Sequence, residues 1–100
     1  DNHAQGIGVW SLTATASPVI RNNLIRGNYT GITVVNSPPL IEGNIIVANF
    51  QAGNSNSGAG IYAGYPNARG IVSNNLIAGN YYGVSNINNA ALNLGDMVND

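Results

Sequence analysis

Apolar and polar residues along this chain follow neither the 3.6-residue period of a helix nor the plain alternation of a long strand. They follow a recurring phrase, apolar-x-x-Asn-x-Ile-x-x-Asn. Its members are Ile20, Asn23, Ile25 and Asn28, then Ile41, Asn44, Ile46 and Asn49, then Val72, Asn75, Ile77 and Asn80. A degraded fourth copy runs Leu92, Gly95, Met97, Asp100. The copies start 21, 31 and 20 residues apart, counted from Ile20 to Ile41 to Val72 to Leu92. A repeat of this length is the signature of a solenoid.

Between phrases the pattern changes to alternation. Gly6-Ile7-Gly8-Val9-Trp10, Ile32-Thr33-Val34, Gly60-Ile61-Tyr62-Ala63 and Tyr81-Tyr82-Gly83-Val84 each read as a strand that opens a rung. Asn2-His3 reads as a remnant of the Asn-aromatic step that recurs later. Residues 13–18, Asn36-Ser37-Pro38-Pro39 and Gly64–Gly70 read as corners, since Gly, Asn, Ser and Pro are turn residues and proline cannot donate to a ladder. One junction departs from the rest. Asn28 to Gly31 and Asn80 to Gly83 are three apart, whereas Asn49 to Gly60 is eleven. Gln51–Ala59 is therefore expected as an insertion, and insertions in solenoids map to surface loops.

The pattern predicts an all-β parallel solenoid of about four rungs, with residues 1–100 as a single domain. Each rung rises by one strand spacing, roughly 4.8 Å, so like residues sit above like. Ile25, Ile46, Ile77 and Met97 are expected to stack inside, as are Ile20, Ile41, Val72 and Leu92. Asn23, Asn44 and Asn75 are expected to form a side-chain amide ladder at one turn, and Asn28, Asn49 and Asn80 another. A buried amide needs such partners, because burying it without them costs a few kcal/mol. A leucine-rich repeat is the nearest rival, but it needs Leu where Asn23, Asn44 and Asn75 stand.

Composition agrees with frequent turns. The chain holds 18 Asn and 13 Gly, the residues that best tolerate a left-handed backbone. Only 7% of residues are charged and the net charge is −1. Three Arg and no Lys cannot coat a phosphate backbone, so no nucleic-acid partner is expected. No apolar run reaches membrane-span length, so no membrane insertion is expected. There is no cysteine, so disulfides do not report a redox compartment. The N-terminus, Asp1-Asn2-His3-Ala4, is not a signal peptide, and the chain reads as a mature product or an excised piece of a longer parent. Low charge, abundant Asn and no Lys suit a secreted or cell-surface bacterial protein.

The Ile-x-x-Asn-x-Ile-x-x-Asn phrase followed by Gly-Ile resembles the right-handed parallel β-helix repeat of the pectate-lyase-like superfamily. It is similar also to the periplasmic right-handed β-helix region proteins. The resemblance covers nearly the whole chain and implies the handedness. It is specific for fold and not for activity, since relatives include pectate lyases, polygalacturonases, alginate epimerases, phage tailspikes and non-catalytic surface proteins. Relatives that cleave polysaccharide use acidic calcium ligands with an Arg or Lys base. Here Asp1, Glu42, Asp96 and Asp100 are scattered over different rungs and form no evident calcium set. The polygalacturonase-like carboxylate cluster and the epimerase-like Asp-Pro-His motif are missing. No catalytic residues, cofactor or metal are assigned.

Individual candidates have plain structural readings. Glu42 aligns with Arg21 one rung earlier, both outward, as a surface ion pair. Arg69 falls in a corner and is expected to be solvated; His3 is a lone terminal histidine rather than a ligand. Asn28-Tyr29-Thr30 is a glycosylation sequon, but Asn28 serves better as a turn residue. The aromatic residues carry more. Tyr29, Phe50 and Tyr81 each follow the last Asn of a phrase and should stack, with Tyr82 beside them. Trp10, Tyr62 and Tyr65 form a candidate second patch. Either group reads as a structural stack or as a platform for the apolar faces of sugar rings.

These readings combine into an expectation of a non-catalytic extracellular module. It acts as a structural scaffold that self-associates end to end, because open solenoid ends expose unpaired strand groups, and it contacts polysaccharide. The alternative is a fragment of a polysaccharide lyase or hydrolase whose catalytic rungs are absent.

Overall fold

The computed structural model describes residues 2–10, 17–49, 58–64, 68–86 and 90–93. Three short strands make each rung. The first rung holds β1 (Asn2–Trp10), β2 (Val19–Arg21) and β3 (Leu24–Arg26). The second holds β4 (Asn28–Val35), β5 (Leu40–Glu42) and β6 (Ile45–Val47). The third holds β7 (Ala59–Ala63), β8 (Arg69–Ser73) and β9 (Leu76–Ala78), and β10 (Tyr82–Asn86) and β11 (Ala91–Asn93) follow. Corresponding strands pair in parallel to give three sheets, ordered β1-β4-β7-β10, β2-β5-β8-β11 and β3-β6-β9. Each sheet neighbour lies one full turn of chain away, so the fold is a parallel β-helix of a few rungs.

The strands between turns are short because the backbone reverses at fixed places. Asn22, Gly43 and Asn74 all have positive φ and separate the second sheet from the third. Gly27, Ala48 and Gly79 have positive φ at the exit from the third sheet. In all six turns the left-handed residue is followed at once by a ladder asparagine. Gly and Asn adopt that conformation at least cost; Ala48 does not.

Apolar columns fill the inside. Ile20, Ile41 and Val72 stand in register and are buried. Leu92, expected to continue that column, is buried too but stands opposite Gly70, two residues before Val72, so it packs inside without stacking on Val72. Ile25, Ile46 and Ile77 form a second column, with Ile77 half-buried. Ile7, Ile32, Ile61 and Val84 form a third. Each fully buried isoleucine contributes about 1.5–3 kcal/mol of transfer free energy. Met97, expected to extend one column, lies outside the described residues, as do Gly95 and Asp100.

A glycine column is needed for close approach rather than for φ. A Cβ on Gly31 would come within 2.5 Å of Gly60 O and 3.0 Å of Ile46 Cγ2. Gly6 and Gly60 meet the matching atoms of their own next rung, including Asn28 Nδ2 and Asn80 Nδ2.

One corner is shorter than its sequence suggests. Arg69, expected in the Gly64–Gly70 corner, instead opens β8, with its side chain exposed. Arg69 N donates to Ser37 O at 3.1 Å and Ile71 N to Pro39 O at 3.0 Å. Leu40 N likewise donates to Pro18 O at 2.8 Å. A proline lacks an N–H but keeps its carbonyl, so it still serves as an acceptor for the next rung.

Candidate functional site

The two asparagine ladders are built from the inside of the turns. In the first, Asn23 Nδ2 donates to Asn44 Oδ1 at 3.1 Å and Asn44 Nδ2 to Asn75 Oδ1 at 3.0 Å. In the second, Asn28 Nδ2 donates to Asn49 Oδ1 at 3.0 Å and Asn49 Nδ2 to Asn80 Oδ1 at 2.9 Å. Each receiving Oδ1 also accepts the backbone N–H of the asparagine before it. The amides reach back as well, Asn44 Nδ2 to Ile20 O and Asn49 Nδ2 to Ile25 O. These side chains are fully engaged in joining rungs. Asn28 of the sequon is buried within its ladder, so its nitrogen is closed to modification in the folded chain.

Among the described residues titratable groups do not gather. Arg21 Nη2 pairs with Glu42 Oε1 across adjacent strands, where the register sets the two residues opposite each other. Among the described residues no three or more of His, Cys, Asp and Glu come together. No helix there is long and apolar enough to cross a membrane.

The aromatic candidates separate. Tyr81 and Tyr82 lie together with ring centroids 4.8 Å apart and planes at 80°. They are 55% and 42% exposed. Tyr29 is half-buried two rungs away, and Phe50, expected between Tyr29 and Tyr81, lies outside the described residues. Tyr82 stands opposite Ala59 in the neighbouring strand. Trp10 is exposed at the end of β1, whereas Tyr62 is half-buried on β7 with its ring over Gly64. Register sets Trp10 two strands and two residues from Tyr62, roughly 12 Å at ordinary strand spacings. Tyr65 lies outside the described residues; among the described residues Trp10 and Tyr62 do not come together.

The expected Gln51–Ala59 insertion is bounded by residues beside the tyrosine pair, and its last residue, Ala59, is a buried residue of β7 rather than part of a surface loop. Tyr81 N donates to Asn49 O at 3.3 Å and Tyr82 N to Gly58 O at 3.1 Å. Asn49 and Gly58 therefore underlie consecutive residues of the next rung. The residues between them, 50–57, lie outside those described.

A further feature was not singled out in the sequence. Leu24, Ile45 and Leu76 stand in register on the outer face of the third sheet, 61%, 45% and 57% exposed. Val47 and Ala78 continue that face, with exposed Arg26 at its first strand. Val19, Leu40 and Ile71 repeat the arrangement on the second sheet, Val19 and Ile71 exposed. The signal was present in the phrase, where the variable place between Asn and the interior Ile is Leu, Ile and Leu.

A family model described as a protein of unknown function, DUF1565, matches residues 1–100. The chain belongs to the DUF1565 family. Its three parallel sheets make this DUF1565 chain a β-helix-like domain. Neither a curated protein nor a solved structure matches it.

Proposed function

We propose that this DUF1565 chain is a non-catalytic structural module of a secreted or cell-surface bacterial protein, a scaffold that associates with copies of itself and contacts polysaccharide. In architecture it belongs, on this reading, beside the pectate-lyase-like proteins. The observation that carries the proposal is the outward column Leu24, Ile45, Leu76. Three large aliphatic side chains kept in register on the solvent side bring no benefit to an isolated monomer's interior. Aligned apolar surface of this kind marks a contact surface. Pairing of strand edges end to end is a second route to such contact.

Light scattering across a dilution series tests the scaffold. Mass that rises with concentration is expected. Leu24→Lys with Leu76→Lys should lower it if the lateral column makes the contact, and leave it intact if the strand edges do. A monomer at every concentration would overturn self-association. Calcium-dependent uronate cleavage that disappears in Glu42→Gln or Arg69→Ala would overturn the non-catalytic reading in favour of a lyase or hydrolase fragment.

A further inference from the structure

We propose that Tyr81 and Tyr82 form a subsite for a neutral glycan, taking uncharged pyranose rings rather than uronic acids. The inference rests on the polysaccharide contact proposed above and gives it a place and a ligand class.

The geometry comes first. The two rings are consecutive, exposed and mutually perpendicular, so they offer a ring face and a ring edge within one small patch. The ring quadrupole makes the face electron-rich, and the polarised C–H groups on one side of a pyranose complement it. Tyrosine adds a hydroxyl at the rim of each ring for the sugar's own hydroxyls. The backbone beneath is fixed at Tyr81 N and Tyr82 N by ladder bonds to Asn49 O and Gly58 O, and β10 begins at Tyr82. Few rotors need freezing on binding, since tyrosine has two side-chain torsions and its backbone is already held.

The surroundings decide the ligand class. Gly83 follows the pair and Gly79 lies two residues before it; both are exposed and neither adds a side chain beside the rings. Ser85 and Asn86 supply a hydroxyl and an amide nearby in the chain, of which Asn86 is exposed. From Gly70 to Gly95 the sequence has no charged residue. Arg21 is taken by Glu42, Arg26 is on the third sheet of the first rung, and Arg69 opens β8 on the second sheet opposite Ala91, nine residues beyond Tyr82. A carboxylated sugar at Tyr81–Tyr82 would lose hydration with no cation to replace it, whereas hydroxyls find uncharged partners. A protein partner would seek contiguous apolar surface, which Leu24, Ile45 and Leu76 supply elsewhere and this patch does not.

The test is a titration of the whole chain with three hexasaccharides: a β-1,4-glucan, a β-1,4-mannan and an oligogalacturonate. Affinity is read by calorimetry and the site by NMR shifts of the tyrosine ring protons. Binding of at least one neutral hexasaccharide is expected, unchanged across about 0.05–0.5 M salt. Tyr81→Ala and Tyr82→Ala should each weaken it about tenfold or more, as truncating an aromatic anchor does. Tyr81→Phe and Tyr82→Phe should retain most of it, and Trp10→Ala all of it. If an alanine variant fails to fold, the ring shifts in the unaltered chain still decide. Preference for oligogalacturonate, or neutral binding that leaves the ring protons of Tyr81 and Tyr82 unmoved, overturns this inference and leaves polysaccharide contact standing. Binding of no glycan overturns both, while self-association is judged separately by light scattering.

Discussion

The third sheet has two faces of nearly the same composition and opposite circumstances. Its inner face carries Ile25, Ile46 and Ile77, and its outer face carries Leu24, Ile45 and Leu76 in the same three strands. Ile46 is fully buried and its neighbour Ile45 is 45% exposed. The inner repetition is required by packing, because each side chain fills the space left by the rung below. The outer repetition has no such requirement. A regularity that the fold demands says little about function, while one that the fold merely permits points to a surface in use.

The two faces should part company under one substitution. Ile46→Ala is expected to cost about 3–5 kcal/mol, as truncation of a fully buried aliphatic residue does. Ile45→Ala, one residue away, should change monomer stability by about 0.5 kcal/mol or less and act instead on association. Urea unfolding at low protein concentration reads the first effect and light scattering the second. Equal destabilisation by both would erase the distinction between the faces, and with it the main support for a contact surface.

A smaller loss is expected along the amide ladders, and it sharpens the comparison from the turn side. Asn49 accepts from both nitrogens of Asn28 and donates onward to Asn80, all within the buried second turn. Asn49→Ala should cost about 2–4 kcal/mol, because partners on two rungs lose their bonds away from water. Asn23 is exposed in the first rung and its Nδ2 caps Arg21 O in its own strand. Asn23→Ala should therefore cost about 1 kcal/mol or less. Similar losses at both positions would mean that the ladder acts as one cooperative unit rather than through local burial.

The inner architecture was legible in the sequence because its rules are periodic. An interior Ile two places after a ladder Asn fixes which side chains face inward in each rung, and the spacing from Asn49 to Gly60 locates the extra residues. Corner lengths were less legible. A run such as Gly64–Gly70 looks like a turn, yet the Ser37 and Pro39 carbonyls draw Arg69 and Ile71 into the next ladder. That attraction depends on the rung below, which no local pattern reports. The candidate site was legible only in part. An aromatic residue after the ladder Asn points to Tyr81 and Tyr82, but the separate grouping of Trp10 with Tyr62 ignores distances along and across strands. The outer Leu24–Ile45–Leu76 column went unnoticed because residues between invariant places in a repeat invite no physical question until their exposure is known.

The smallest effect concerns the one turn where the phrase departs from what the backbone requires. Gly27 and Gly79 take positive φ between the third sheet and the second ladder, and Ala48 takes the same conformation at φ 55° between them. A left-handed alanine suffers a Cβ–carbonyl clash of roughly 1–2 kcal/mol. Glycine relieves it but gives up roughly 0.5–1 kcal/mol through the entropy of the unfolded chain. Ala48→Gly should therefore stabilise the fold by about 0.5–1 kcal/mol, read as a higher thermal midpoint at fixed protein concentration. Because Ala48 is exposed, no interior contact is lost to offset the gain. Destabilisation would mean that the Ala48 methyl makes a favourable contact on the surface it shares with Arg26, Gly27 and Val47. That surface adjoins the outer face of the third sheet, so the methyl would then belong with Leu24, Ile45 and Leu76 rather than with the turn.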